Sequence, residues 1–140
     1  MSWKVVKSKS DIDYLNEIYD NFHDSYLNEI CFHAGDLIQS ENSNVTTARL
    51  LFEREWKNPS IIEIEFREVI QINIKPEGKN QFRDIIVSHL YFNNDIFFWS
   101  AHDYEFHEKE KDNYTWIAAK FVRWRVRDNL LGCNRVYIKN

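Results

Sequence analysis

The stretch IEIEFREVIQINI at residues 62–74 decides the fold, because its apolar and polar residues alternate. One alternating set is apolar: Ile62, Ile64, Phe66, Ile70, Ile72 and Ile74. The other set is polar: Glu63, Glu65, Arg67 and Gln71. A period of two places successive side chains on opposite faces of a β-strand. Glu68 falls on the apolar face, which predicts a bulge, an edge or a break into two strands there.

Apolar residues recur with the same period on both sides of this segment. The sequence predicts further strands or apolar runs at 26–34, 48–56, 85–92, 96–106, 114–127 and 135–139. Asn58-Pro59 ends the second of these strands, after Trp56 as its last apolar position. Asn93-Asn94-Asp95 predicts a hairpin turn between two of the runs. In 114–127 one apolar face is predicted, with Lys120 as the exception: Trp116, Ala118, Val122, Trp124 and Val126.

A helix is predicted before the first strand. Ser10 or Asp11 could cap it. Its apolar residues recur at helical spacing over about three turns: Ile12, Leu15, Ile18, Tyr19 and Phe22.

The order of these elements indicates the fold class. Consecutive strands joined by short turns favour an antiparallel meander. An aromatic content of 16%, with three glycines and two prolines, favours long strands. We therefore expect an α+β fold in which a curved antiparallel sheet or partly open barrel, of about six or seven strands, carries one N-terminal helix. Residues 1–140 are expected to form a single domain.

Charge and targeting signals exclude several classes of protein. The 18 basic and 22 acidic residues give a net charge of −4, which argues against a globally basic nucleic-acid binder. The first residues lack the apolar run of a signal peptide, and no apolar stretch is long enough to span a membrane. We expect a cytoplasmic protein in which Cys31 and Cys133 are buried as small apolar residues.

The densest titratable cluster runs from His102 to Glu108. Asp103, Glu105 and His107 would share one side of a strand, as two carboxylates and a histidine of a metal site would. The other interpretation is a solvated strand end whose charges are balanced by Lys109 and Lys111. The latter is favoured, so no metal is assigned.

Three arginines line one face of the strand at 114–127: Arg123, Arg125 and Arg127. Alternation places Trp124 on the opposite face, which argues against a nucleic-acid surface that interleaves arginines with stacking rings. Glu63 and Glu65 lie on a strand of matching pattern and provide the natural complement. Cross-strand ion pairs are the favoured interpretation, ahead of a partner surface.

Catalytic motifs are missing from the sequence. No GxSxG, HExxH or glycine-rich phosphate loop is present. Cys31 and His33 are the only close nucleophile and base, and nothing supplies an oxyanion hole or an orienting third group. The chain is therefore expected to be neither an enzyme nor a cofactor carrier.

Phe22-His23-Asp24-Ser25 lies between the predicted helix and the first strand. It resembles the Phe-His-Asp signature of small bacterial proteins associated with polymorphic toxin systems, in particular those grouped as immunity protein 50. Like this chain, they are short, β-rich and rich in tryptophan. The resemblance implies an antitoxin that binds and blocks a cognate toxin domain without catalysis. The residues alone have a local explanation too, since Asp24 or Ser25 could bond backbone amides and His23 could lie on the last helical carbonyls.

Two functions of different classes follow. The first is a cytoplasmic immunity protein that binds a toxin protein, as a monomer or homodimer, with no nucleic acid or membrane partner. Its candidate toxin-binding residues would steer association with a basic toxin cleft: Asp103, Glu105, Glu108, Glu110 and Asp112. The alternative is a β-rich small-ligand or metal-binding protein or enzyme that uses the cluster from His102 to Glu108.

Overall fold

The computed structural model describes residues 2–35, 45–76, 85, 88–102 and 113–131. Within these residues the helix is α1 (Lys9–Ile18). The strands are β1 (Lys4–Val5), β2 (Ser25–His33), β3 (Thr47–Arg54), β4 (Ile61–Asn73), β5 (Leu90–Asn93), β6 (Ile96–Ser100) and β7 (Trp116–Val126). Two short 3-10 turns follow α1 and β7, at Asp20–Phe22 and Asp128–Leu130. The strand predicted at 135–139 lies outside the described residues.

One antiparallel sheet contains every strand of the described part, in the order β2-β3-β4-β7-β6-β5. β7 pairs with β4 along one side. Along its other side it pairs with β6 near its beginning and with β1 near its end. The expected fold class is confirmed: an open, curved antiparallel sheet with one helix. No helix among the described residues has the length and hydropathy needed to cross a membrane.

The core lies between α1 and the inner face of the sheet. Phe22 packs against Phe52 and Trp99, with ring centroids 5.0 and 5.7 Å away. Leu15 and Tyr19 bring the helix onto this cluster, and neither has any exposed surface. Aromatic rings in tilted or edge-on contact stabilise this core by more than the burial of their surface area alone. Nine of the eighteen aromatic side chains among the described residues are buried, so about half of them are used inside the fold.

The helix begins earlier and ends earlier than its sequence pattern predicts. Ser8, rather than Ser10 or Asp11, is the N-cap. In its capping box Ser8 Oγ accepts a hydrogen bond from the backbone amide of Asp11, and the Asp11 carboxylate accepts one from the backbone amide of Ser8. The helix ends at Ile18. Phe22 reaches the core from the 3-10 turn that follows, so the helical spacing continues across a break in the helix.

The bulge expected near Glu68 is present in β4. The β4–β7 register shifts between Val69 and Gln71, and Glu68 has a positive φ of 51°. The apolar positions before the bulge are buried: Ile62, Ile64 and Phe66. Beyond it, Ile70 and Ile74 are about half exposed. The predicted buried face is therefore wrong at Ile70, which lies at the register shift, and at Ile74, whereas Ile72 packs against the core as predicted.

The long strand β7 also changes face in its middle. Its core-facing side chains are Ile117, Ala119, Val122 and Trp124. Trp116 instead contacts Phe98 at 5.7 Å, and Ala118 lies opposite Phe98 in the ladder. The change falls at Lys120 and Phe121, which are both exposed. The single apolar face predicted for this strand is therefore wrong at its beginning and right at its end.

Candidate functional site

The acidic residues predicted to bind a toxin lie outside the described residues: Asp103, Glu105, Glu108, Glu110 and Asp112. His107 lies outside them as well. His102 is described, and its ring stacks on Tyr114 with centroids 4.4 Å apart. In the part of the chain that the structure describes, His, Cys, Asp and Glu form no group of three or more suited to a metal ion.

The predicted complement between arginines and glutamates is confirmed on the outer face of the sheet. Arg123 Nε donates to Glu65 Oε1 at 2.8 Å. Arg125 and Arg127 donate to the two carboxylate oxygens of Glu63 at 3.0 and 2.5 Å. In the β4–β7 ladder each of the first two pairs lies directly across from its partner. Cross-strand register therefore produces this network.

Trp3 covers the network from the N-terminal segment. Its ring lies 4.2 Å from the guanidinium carbons of both Arg123 and Arg125. An arginine over an indole face gains a cation–π attraction that strengthens as water is excluded. Glu63 and Glu65 are buried beneath these groups. We interpret this face as part of the scaffold, since its described charges are already matched.

The expected burial of both cysteines is wrong for Cys31, which is exposed. Its Sγ accepts a long hydrogen bond of 3.7 Å from Arg49 Nη2, and this bond raises the pKa of Arg49. His33 Nδ1 accepts from the backbone amide of Gly35 at 3.2 Å. Cys133 lies outside the described residues.

The Phe-His-Asp motif divides between the core and the surface. Phe22 is fully buried, whereas the side chains of His23 and Asp24 are 45% and 69% exposed. His23 Nδ1 lies 3.2 Å from Asp24 Oδ2. Ser25 Oγ donates to the carbonyl of Phe22 at 2.6 Å rather than accepting from a backbone amide. The motif thus ties its aromatic residue into the fold and presents its imidazole and carboxylate outward.

The backbone around this motif is unusual. Asp20, Asn21, Phe22 and Asp24 all have positive φ, between 49° and 60°. Trp56, in the turn between β3 and β4, has a φ of 61°. Asn and Asp tolerate this region, but a bulky aromatic residue does so at a cost of about 1–2 kcal/mol. Such conformations cluster where function requires a fixed geometry.

Trp56 is the most exposed large apolar residue of the described chain. Its side chain is 94% exposed, although the alternation of β3 predicts it on the apolar face. The prediction is wrong because β3 ends at Arg54, two residues earlier. A signal for this was present in the sequence: Trp56 stands between Glu55 and Lys57, shortly before Asn58-Pro59, in turn-forming surroundings.

Buried Arg54 fixes the turn that carries Trp56 through hydrogen bonds to backbone carbonyls. Arg54 Nε donates to the carbonyl of Pro59 at 2.9 Å, and Nη2 donates to the carbonyl of Ile18 at 3.0 Å. Its guanidinium also lies 4.2 Å from the ring centroid of Tyr19. Burial lowers the pKa of Arg54 and raises that of Tyr19. The turn and the end of α1 are therefore joined through one cation.

Two further contacts fix the same turn. Asp128 Oδ1 accepts from the backbone amides of Ser60 and Ile61, at 2.9 and 2.8 Å. Lys57 Nζ donates to Asp20 Oδ2 at 2.9 Å, which joins the turn to the segment of the Phe-His-Asp motif. This ammonium group lowers the pKa of the Asp20 carboxyl.

Trp56 and the motif therefore form one surface. We name it the turn surface and define it by Asp20, His23, Asp24, Trp56 and Lys57.

A second surface is a groove of about 1210 Å³ between β1, the start of α1, the β5–β6 hairpin and β7. We name it the side groove. Its apolar lining includes Val5, Ile12, Leu90, Phe92, Phe97 and Phe121. Three of these side chains are about half exposed: Val5, Phe92 and Phe121. Large apolar side chains gathered on an open surface are typical of an interaction site.

Comparison with protein-family models, with curated proteins and with solved structures gives no match for this chain. The resemblance of Phe22-His23-Asp24 to immunity proteins therefore stays an expectation from the sequence. The turn surface and the side groove are the two candidate binding surfaces among the described residues.

Proposed function

We propose that this chain is an immunity-type binding protein that blocks a toxin domain by occupying it with the turn surface. The observation that carries the proposal is Trp56, which is almost fully exposed on a turn that several buried contacts hold in place. Tryptophan is the residue most enriched among those that dominate binding energy at protein interfaces.

The fixed turn supports a binding role on energetic grounds. A side chain that is already ordered loses less conformational entropy when a partner covers it. Arg54, Asp128 and Lys57 hold the turn before any partner arrives. The positive φ of Trp56 adds a cost that a purely structural turn could avoid with glycine. A turn that uses its tryptophan as a preformed aromatic anchor for a partner accounts for this cost.

The exposed groups around Trp56 are mixed in charge. Glu55 and Lys57 flank Trp56 in the sequence, are both exposed and carry opposite charges, as polar groups do in the rim of an interface. The acidic segment at 103–112 remains part of the proposal as the element that steers association: Asp103, Glu105, Glu108, Glu110 and Asp112. In this proposal the acidic residues set the rate of encounter, and Trp56 sets the lifetime of the complex.

The test is co-expression with any toxin-like domain that an adjacent gene encodes, followed by growth scoring and co-purification. The wild-type chain should restore growth and elute with the toxin domain. Trp56→Ala should weaken the complex by about 100-fold or more, as expected for a central interface tryptophan. Phe32→Ala is the matched control, since Phe32 is a half-exposed aromatic residue on β2, away from the turn surface.

Charge reversal tests the steering role separately. Reversing Glu105 and Glu108 should slow association at low salt, and the effect should shrink as salt screens the charges. Absence of any complex with the toxin domain would overturn the proposed function. A complex that Trp56→Ala leaves intact would overturn the assignment of the turn surface while preserving the function.

A further inference from the structure

Cys31 lies on the outer face of the sheet, beside the network of arginines and glutamates. The ladder places it directly opposite Arg49 of β3, and it places Arg49 opposite Glu65 of β4. Residues directly opposite each other project to the same face of a sheet. The Cys31 thiol is exposed, although free cysteine is among the most often buried residue types. It is therefore open to reagents in solution.

The C-terminal end of the described chain reaches the same place. Leu130 and Cys31 line one small cavity of about 220 Å³. The 3-10 turn that carries Leu130 is fixed to the start of β4, because Asp128 accepts hydrogen bonds from two backbone amides there. The described chain therefore ends at Leu131, next to a residue whose position close to Cys31 is defined.

The other cysteine of the chain, Cys133, follows Leu130 by three residues in the sequence. Three residues span at most about 10 Å when they are extended. A disulfide needs two Cα atoms that are about 4.4–6.8 Å apart. The segment after Leu130 therefore has enough length to bring Cys133 to Cys31 from another wall of the same small cavity.

We propose that Cys31 and Cys133 form an intramolecular disulfide when the protein meets a disulfide oxidant, such as oxidised glutathione. The thiolate of Cys31 attacks one sulfur of the oxidant, and one glutathione leaves and takes up a proton. The thiolate of Cys133 then attacks Cys31 Sγ in the mixed disulfide, and the second glutathione leaves in the same way. The two cysteines lose two electrons and two protons, which the two glutathione thiols gain.

Arg49 assists the first step. Its Nη2 lies 3.7 Å from Cys31 Sγ. The thiolate is the attacking species, and a guanidinium group beside it is a counter-charge both for this anion and for the carboxylates of glutathione. Because Cys31 is exposed, the bond stays within reach of reducing thiols, as in labile and regulatory disulfides. The proposal is independent of any toxin.

Intact-mass spectrometry of the full chain after incubation with oxidised glutathione tests the proposal. The wild type should lose the mass of two hydrogen atoms, and a peptide map without reductant should link Cys31 to Cys133. Cys133→Ser should stop at the mixed disulfide and keep one glutathionyl group on Cys31. In urea, which removes the fold, the effective concentration of one thiol at the other should fall by at least about tenfold.

Moving the thiol by one residue gives the matched control. In Cys31→Ser combined with Phe32→Cys, the thiol stays on β2 at a position that is about half exposed, but alternation places it on the opposite face of the sheet. This variant should form the internal bond at least about tenfold less readily than the wild type.

Three outcomes would overturn the proposal. The first is a wild type that takes up glutathione without forming the internal bond. The second is a covalent dimer as the main product. The third is a bond that forms equally well in urea or in the control variant, since the fold would then not bring the two thiols together.

Discussion

Two tryptophans occupy opposite situations in this molecule. Trp3 lies against Arg123 and Arg125, over glutamates that are themselves paired. Trp56 projects from a turn with 94% of its side chain exposed. Both stand beside well-organised polar contacts, but only Trp3 contributes its ring to them. Trp3 therefore contributes contacts that stabilise the fold, whereas Trp56 is held by the fold in an exposed position.

This difference shows how stability and binding are distributed over the surface. On the outer face of the sheet, removal of one group leaves others buried without a partner. On the turn surface, the contacts that hold the turn lie beneath Trp56 and do not include its ring. Substitutions on the first region should therefore change the free energy of unfolding, and those at Trp56 should chiefly change binding.

Among the substitutions considered, Glu63→Gln should cause the largest loss in the free energy of unfolding. The substitution removes the charge that faces Arg125 and Arg127, leaving two part-buried guanidinium groups poorly matched. We expect a loss of about 3 kcal/mol, at the lower end of values for broken buried pairs. Urea unfolding with an unchanged m-value would measure it. Glu55→Gln makes the same charge change at an exposed site and should cost less than about 0.5 kcal/mol.

Asp128→Ala should have the next largest effect. It removes the acceptor of two backbone amides, those of Ser60 and Ile61. Hydrogen bonds to charged groups contribute about 1.5–3 kcal/mol, so we expect a loss of about 2 kcal/mol. Asp128→Asn keeps one acceptor oxygen and should recover part of this. Equal losses in the two variants would show that the amides do not depend on this oxygen.

Trp56→Gly should raise the free energy of unfolding, unlike the two substitutions above. Glycine occupies positive φ without the steric cost that tryptophan bears, and no described contact of the ring is lost. The gain, reduced by the greater freedom of glycine in the unfolded chain, is about 0.5–1 kcal/mol. Thermal and urea unfolding would detect it. A variant that is more stable and yet binds its partner less well would separate the two roles directly, whereas a destabilised one would give Trp56 a structural role.

The smallest effect concerns pH. The ammonium of Lys57 holds the pKa of Asp20 below its usual value of 3.8. A depressed carboxyl pKa stabilises the fold above the unfolded pKa, and this contribution disappears as pH falls through the folded value. The pair is exposed, so Asp20→Asn should cost at most about 0.5 kcal/mol near neutral pH. The difference from wild type should begin to shrink below the ordinary pKa of 3.8 and vanish as pH falls through the lower folded value, and a difference that persists below both would have another origin.

The sequence predicted the fold because its strongest signals are local. Alternation at Ile62, Ile64 and Phe66 identified the central strand, and the matching pattern of glutamates and arginines identified β4 and β7 as neighbours. The hairpin turn between β5 and β6 also lies where predicted, with Asn94 and Asp95 at positive φ. Each of these signals depends on residues close in sequence or on simple complementarity of charge.

The features that sequence reasoning missed depend on tertiary contacts. The face change in β7 falls at Lys120 and Phe121, opposite the stretch of β4 that contains Glu68 with its positive φ, and no pattern within β7 predicts it. Ser8 caps α1 because Asp11 completes the capping box, although Ser10 was an equally good candidate by residue type. Alternation predicts Trp56 on the apolar face of the strand, because alternation alone cannot show that β3 ends at Arg54. The turn surface could not be foreseen without knowing that Lys57 reaches Asp20.

The unequal surroundings of the tryptophans give the protein a built-in optical reporter. Trp99, Trp116 and Trp124 are buried, whereas Trp56 is open to water. Red-shifted emission and quenching by iodide should therefore come mainly from Trp56, with Trp56→Phe as the blank. Docking of a partner on that ring would shift its emission to the blue and shield it from the quencher, without any attached dye.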